Sequence, residues 1–171
     1  MLDNIRNAEI NDLPRIMEIF AHARRFMAEH GNPDQWGPDN WPPEDLIRSD
    51  IECGKCRVCI QDGEIVGTFF YDQGKNIEPD YLKIDDGAWL DDSAYGVIHR
   101  VASSGKAKGI GSACIHWALS RCRHLRIDTH KDNLVMQNML RKNGFIHCGT
   151  IYVRNGSEPR MAFERTDMKQ P

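Results

Sequence analysis

Apolar positions along the chain switch repeatedly between the spacings of a strand and of a helix. Leu2–Ala8 reads as a short opening strand. Asn11 or Asp12 can cap the helix that follows, and Pro14 is tolerable in its first turn, whose amides lack partners in any case. Ile16, Ile19, Phe20, Ala23 and Met27 then form one helical stripe that Gly31 ends. A turn-rich loop, Gly31-Asn32-Pro33-Asp34-Gln35-Trp36-Gly37-Pro38, leads by way of Trp41-Pro42-Pro43 to a second helix. That helix carries Leu46, Ile47 and Ile51 on one side, with Gly54 after its end. Lys55–Gln61 and Glu64–Tyr71 predict a hairpin around Asp62-Gly63.

Residues 72–93 are acidic and show no regular period. Tyr95–Ser103 reads as a buried strand, and Gly109–Arg121 as a helix with Ile110, Ala113, Cys114, Trp117 and Ala118 on one face. Leu125–Thr129 is a short predicted strand, and Asn133–Asn143 a helix stopped by Gly144. Phe145–Val153 and Arg160–Arg165 are the final strands, around Asn155-Gly156. Strands and helices interleave around one mostly antiparallel sheet, so the class is α/β or α+β. A length of 171 residues fits one domain, taken as 1–171.

Composition narrows the function. With 40% hydrophobic and 27% charged residues the chain reads as an ordinary globular protein. A net charge of −3 argues against nucleic acid as the partner, because that binding needs excess Lys and Arg to displace counterions. The charge is uneven, however. Residues 1–99 hold 20 acids against 9 bases, whereas Arg100, Lys106, Lys108, Arg121, Arg123, Arg126 and Lys131 face one acid, Asp128, between 100 and 131. A basic island in an acidic chain suits a small polyanionic ligand or a solvated helix face. No apolar run approaches the roughly 20 residues of a membrane span, and Met1–Ile5 carries no basic leader, so a cytoplasmic protein with no membrane partner is expected. Cys53, Cys56, Cys59, Cys114, Cys122 and Cys148 are expected to be reduced. Cys53-x-x-Cys56-x-x-Cys59 has the look of a metal signature, but its strand positions send neighbouring side chains to opposite faces, and no metal is expected there.

The stretch that carries chemistry is strand, loop, Gly109-Ile110-Gly111, helix. Glycines let a ligand approach the backbone, and the first amides of a helix combine unpaired donors with the positive end of the dipole. That is an anion site suited to a pyrophosphate, with Lys106 and Lys108 beside it. A Walker loop is absent. A dinucleotide fingerprint would need a third glycine where Cys114 stands, although Asp128 imitates its ribose-binding acid.

Lys106-Ala107-Lys108-Gly109-Ile110-Gly111 resembles the Arg/Gln-x-x-Gly-x-Gly/Ala loop of the GNAT superfamily of acyl-CoA N-acyltransferases. His99–Ser103 is similar to the family's fourth strand, Asn133 with Asn143-Gly144-Phe145 to its Asn…Gly-Phe helix, and Asn11–Pro14 to its first helix start. The order of elements agrees from about residue 3 to about residue 165. The resemblance implies a mixed, mostly antiparallel sheet with splayed fourth and fifth strands and helices on both faces. It implies acetyl-CoA as cosubstrate, with its arm along Val101 and Ser103. Amides from Lys106 through Lys108, Gly109, Ile110 and Gly111 to Ser112 would hold the pyrophosphate, and Asn133 would face the cofactor. Dimers are common in the family, so the resemblance allows a homodimer, although the sequence itself does not give the oligomeric state. Lys106 departs from the family's Arg or Gln, but the amide cradle does not depend on that side chain.

The implied reaction is direct transfer of an acetyl group to the amine of a small molecule or peptide. Such an amine must lose a proton, and His99, on the implied fourth strand and titrating in the useful range, is the candidate base. It stands two residues before Val101, which on a regular strand puts both on one face. Many family members place a tyrosine acid four residues before the Gly-Phe glycine. Here that position is Leu140, which leaves Tyr152 or water as the proton donor and opens a second reading, an acyl-CoA sensor of weak catalytic power. Gln35 and Trp36 in the first loop, with His130 after the fifth strand, are the candidate acceptor contacts, and the acids of 72–92 favour a cationic acceptor.

Overall fold

The computed structural model describes residues 2–167. Its chain forms two compact units. The first comprises the chain up to Tyr71 together with His99–Trp117, and the second Asp72–Ile98 with the chain from Ala118 onward.

In the first unit, β1 (Asn4–Asn7) lies antiparallel to β2 (Cys56–Gln61), and β2 forms a hairpin with β3 (Glu64–Gly74). Asp62 and Gly63 at its tip have φ of 52° and 74°, the paired left-handed residues of a turn whose twist matches the strands. Between β1 and β2 run α1 (Leu13–Glu29) and α2 (Glu44–Glu52). Of the apolar stripe predicted for α1, Ile16, Ile19, Phe20 and Ala23 are buried, joined by Leu13, while Met27 is only partly buried against them. The stripe packs with Ile47 and Ile51 of α2 and with Cys56 and Val58 on one face of the sheet. The opposite face receives α3 (Ile110–Leu119), where Cys114 stands 3.8 Å from Cys59 and Trp117 meets Phe69 and Tyr71 edge-on. Cys56, on the other side, bonds Thr68.

Within the second unit the start of β4 (Tyr95–Ser103) pairs in parallel with β5 (His124–Thr129) through Gly96↔Leu125 and Val97↔Arg126. Antiparallel ladders join β5 to β7 (Glu158–Thr166) and β7 to β6 (Ile146–Val153). The helix α4 (Leu134–Lys142) is capped by Asn133, whose Oδ1 accepts the Met136 amide at 3.1 Å. The acidic stretch without period contains a short 3-10 turn, Pro79–Tyr81, and a bridge of Asp85 to Thr150. Strand order is β1-β2-β3-β4-β5-β7-β6, a mixed and mostly antiparallel seven-stranded sheet.

Candidate functional site

The glycine loop and the end of β4 that feeds it, from His99 onward, lie in the first unit. Residues 104–109 leave β4 and turn into α3, whose first intrahelical bond is Ala113 N–H to Gly109 O at 3.0 Å. The amides ahead of that bond have no acceptor within the helix. Gly109 has φ of 76°, and a Cβ built there would meet nothing within 4 Å, so this turn presents bare backbone to open space. The Ser103 hydroxyl accepts the Gly105 amide at 3.2 Å, and that of Ser104 accepts the Lys106 amide at 3.3 Å, which holds the loop in shape.

Two contacts seat this loop. At Gly67, opposite Cys59 in the β2–β3 register, a side chain would strike Ile110 Cγ2 at 2.6 Å and Ala102 O at 3.2 Å. The absent Cβ is what lets the first residue of α3 drop onto β3. Gly105, at φ of 77°, lies under the imidazole of His22 from α1, with 2.7 Å between a built Cβ and Nε2. Sequence pattern gave no sign of His22, because it lies off the apolar stripe of α1.

The basic island separates in space. Lys106 is exposed and paired with Glu64 at 2.8 Å, a hydrogen bond that holds the Glu64 carboxyl below its ordinary range. Lys108 is exposed as well. Arg100 and Arg126, by contrast, belong to buried ion pairs with Asp50 and Glu164. Of the island, Lys106 and Lys108 are the residues that stand on the loop itself.

Within β4, Arg100 has φ of 53°, left-handed in the middle of a strand. This breaks the alternation that would put His99 and Val101 on one face. His99 and Arg100 instead both meet Phe70, with the imidazole 5.7 Å from the ring and the guanidinium carbon 4.6 Å above it. Nη2 of Arg100 donates to Asp50 of α2 at 2.6 Å. Asp50, 8% exposed, was not singled out by sequence, since it shares α2 with apolar Ile47 and Ile51. Burial pushes its carboxyl up, and the charge and hydrogen bond of Arg100, with His99 and Lys55, pull it only part of the way back. Beyond the bend, Val101 and Ser103 are half-buried and Ala102 joins the core over α1 and α2. In α3, Ile110 is buried and Gly111 and Ser112 are half-buried.

Trp36 is 8% exposed and packs its ring edge-on against Phe20 at 5.8 Å, so it belongs to the core of the first unit and not to an open wall. Gln35 accepts a 2.8 Å hydrogen bond from buried Asn32.

The remaining candidates stand in the second unit. His130 Nδ1 faces the Asp132 amide at 3.2 Å in the turn before α4, where Asn133 is the cap. Tyr152 is half-buried on β6 opposite Pro159. Leu140 is fully buried. Asp128 accepts the Tyr81 hydroxyl at 2.7 Å and lies 3.9 Å from Arg160.

An open mixed sheet with a glycine turn at the start of a helix defines an acyltransferase-like α/β fold. The family model described as the acetyltransferase (GNAT) family matches residues 13–145, and the chain belongs to that family. A GNAT-family acetyltransferase from Streptococcus agalactiae is 31% identical over 97% of this chain and 96% of its own, with a TM-score of 0.84. A GNAT-family acetyltransferase from Bacillus cereus, at 21% identity over 99% of each chain and TM-score 0.61, shares the fold. So does one from Listeria monocytogenes, at 18% identity over 95% of this chain and 93% of its own, with TM-score 0.68. Curated proteins gave no match.

Proposed function

We propose that this chain, acting as one domain, transfers an acetyl group from acetyl-CoA directly to the amine of a small molecule or peptide. The observation that carries the reading is the bare turn at Gly109, with open space where a Cβ would stand and α3 beginning behind it. A pyrophosphate fits such a turn, because helix amides and the dipole favour an anion there. Backbone from Lys106 to Ser112 would hold it, Lys106 and Lys108 would add charge, and β4 at Val101 and Ser103 would align the pantetheine arm. Asn133 would face the cofactor in addition to capping α4. Acetyl-CoA, when bound, supplies the activated thioester. The protein's part is then to orient the amine, take its proton and donate to the developing oxyanion. His99 is the proposed base. Its ring lies on Phe70 beside the Asp50–Arg100 pair, in the region that faces the acceptor by this reading. Tyr152 is the proposed proton donor to the leaving thiolate, and Gln35 and His130 the proposed acceptor contacts, with Trp36 supporting its loop from the core. The acids of 72–92 favour a cationic acceptor. No described helix is long and apolar enough to cross a membrane, and the proposed setting is the cytoplasm, as a homodimer and without a metal.

Leu140 favours a second reading. It is fully buried at the place where many relatives put a tyrosine acid, which suits an acyl-CoA sensor of weak catalytic power.

Calorimetry of acetyl-CoA on the wild type and on Gly111→Trp, paired with thiol release over a set of amines, tests both. Gly111 is helical, so a large side chain there fills the cradle without left-handed strain. Micromolar binding lost in the variant, with thiol release that falls in His99→Ala, is the expected result. Binding without release under any amine would leave the sensor, and no binding to the wild type would end both readings.

A further inference from the structure

We propose that Asp50 is a positioning residue of the active site, fastening Arg100 in its left-handed conformation so that the bend in β4 turns His99 onto Phe70. The inference rests on the reading of His99 as the base.

Backbone at φ of 53° is disfavoured for any residue with a Cβ, and persists where its surroundings over-determine it. Here the surroundings are specific. Asp50 sits on α2 between core residues Ile47 and Ile51, so its carboxylate is fixed by a packed helix. From there it reaches Arg100 Nη2 at 2.6 Å, while Phe70 supports the guanidinium from below at 4.6 Å. The guanidinium is thus held on two sides, and the residue that carries it cannot return to an extended conformation without breaking both contacts. His99, the preceding residue, takes its orientation from that bend and lies on the same ring of Phe70. The pair is poorly designed as a stabilising device, since both side chains are largely removed from water and Arg100 Nε is buried with no hydrogen-bond partner. A buried ion pair is weak evidence for stability and stronger evidence for a fixed geometry, which is the role assigned to this one.

Glycine separates this role from others, because it holds a positive φ without strain. The variants are Asp50→Ala, Arg100→Gly and the two combined, with Asp50→Asn standing in for Asp50→Ala if that protein does not fold. The first readout needs no activity: amide exchange across 98–103 and the NMR signals of the His99 and Phe70 rings. Asp50→Ala is expected to raise exchange and move both rings, and Arg100→Gly in the same chain to restore them. The second readout is kinetic. Asp50→Ala is expected to lower kcat on the order of 10–100-fold with KM for acetyl-CoA unchanged, as misplacement of a reacting group does. The double variant should return to within about threefold of Arg100→Gly alone, since removing a strained residue removes the need for its clamp. Exchange and ring signals in Asp50→Ala that match the wild type would overturn the proposal, as would a kcat loss that Arg100→Gly does not repair. Were the wild type to acetylate no amine, the reading of His99 as a base would fall, while the exchange comparison would still decide the role of Asp50.

Discussion

Each unit contains a buried carboxylate paired with an arginine, and the two are built in opposite ways. Glu164 in the second unit is wholly buried and accepts from His124, from Arg126 Nε at 2.9 Å and from the Leu90 amide. Burial pushes its carboxyl up, yet the bonds from His124, Leu90 and Arg126 outweigh this and hold it below the ordinary range. Asp50 in the first unit has Arg100 on it, and there burial prevails. The same arginine atom marks the contrast: Nε of Arg126 is bonded, and Nε of Arg100 is not. A carboxylate saturated with donors acts as a fastener. One with fewer donors, beside left-handed backbone, sits where geometry matters more than stability. Saturation extends around Glu164, since Arg126 also donates to Asp91 O and lies over Trp89 and Tyr95, both at 4.2 Å. It thereby ties residues 89–95 down to the sheet of the second unit.

The largest expected effect follows from that saturation. Glu164→Gln leaves Arg126 buried without its counter-charge, and removing one partner of such a pair costs about 3–5 kcal/mol. Urea unfolding followed by Trp89 fluorescence, with amide exchange in β5 and β7, should show this loss. A loss below about 1 kcal/mol, the size for an exposed pair, would mean that the cluster is not a fastener and would erase the contrast with Asp50.

Packing in the first unit offers the next test. Gly67→Val would force a side chain into Ile110 and the Ala102 carbonyl, and overpacking of this kind costs about 1–3 kcal/mol. Since Ile110 begins α3, the lost stability should come with weaker acetyl-CoA binding by calorimetry. Gly63→Ala is the control. Its φ is 74° and a Cβ there meets nothing within 4 Å, so it should lose stability through backbone strain alone and leave binding unchanged. Equal binding losses in the two variants would separate the seating of α3 from the function of its turn.

Much of the fold was legible because it is written in local periods and turn residues. The apolar stripe of α1, the Asp62-Gly63 hairpin and the Tyr95–Ser103 strand all stand where spacing put them. The glycine turn was legible for the same reason. Regular alternation failed at Arg100, since no local signal announces a left-handed residue in a strand whose cause, Asp50, lies 50 positions away. Trp36 looked like a site residue because it sits in a turn-rich loop, whereas its burial depends on Phe20 of α1. Arg126 read as one charge of the basic island until the β5–β7 register set it opposite Glu164. Pairings across the sheet are tertiary facts, and periodicity carries no information on them.

The smallest effect sharpens the comparison from the acid side. Asp12, ahead of α1, accepts both terminal nitrogens of Arg6, at 2.6 and 3.0 Å, and the Glu9 amide at 2.8 Å. The hydrogen bond of Arg6 is the main reason its carboxyl lies below the ordinary range, with burial opposing and the Glu9 amide assisting. A folded value below the unfolded one means that the pair's stability is fully present above the ordinary aspartate value, and is lost as pH falls through the folded value. Glu164 has the same sign but a buried pair, whereas the Arg6 side chain is 36% exposed and solvent screens the interaction with Asp12. The expected contribution is therefore at most about 1 kcal/mol. Unfolding free energies of the wild type and Arg6→Gln, measured from about pH 7 down to about pH 3, should differ by that small amount at neutral pH and converge in acid. Glu164→Gln should converge on the wild type over the same range from a much larger gap. If the two gaps were alike in size, burial would not be what distinguishes the fastener in the second unit from a pair at the rim of the first.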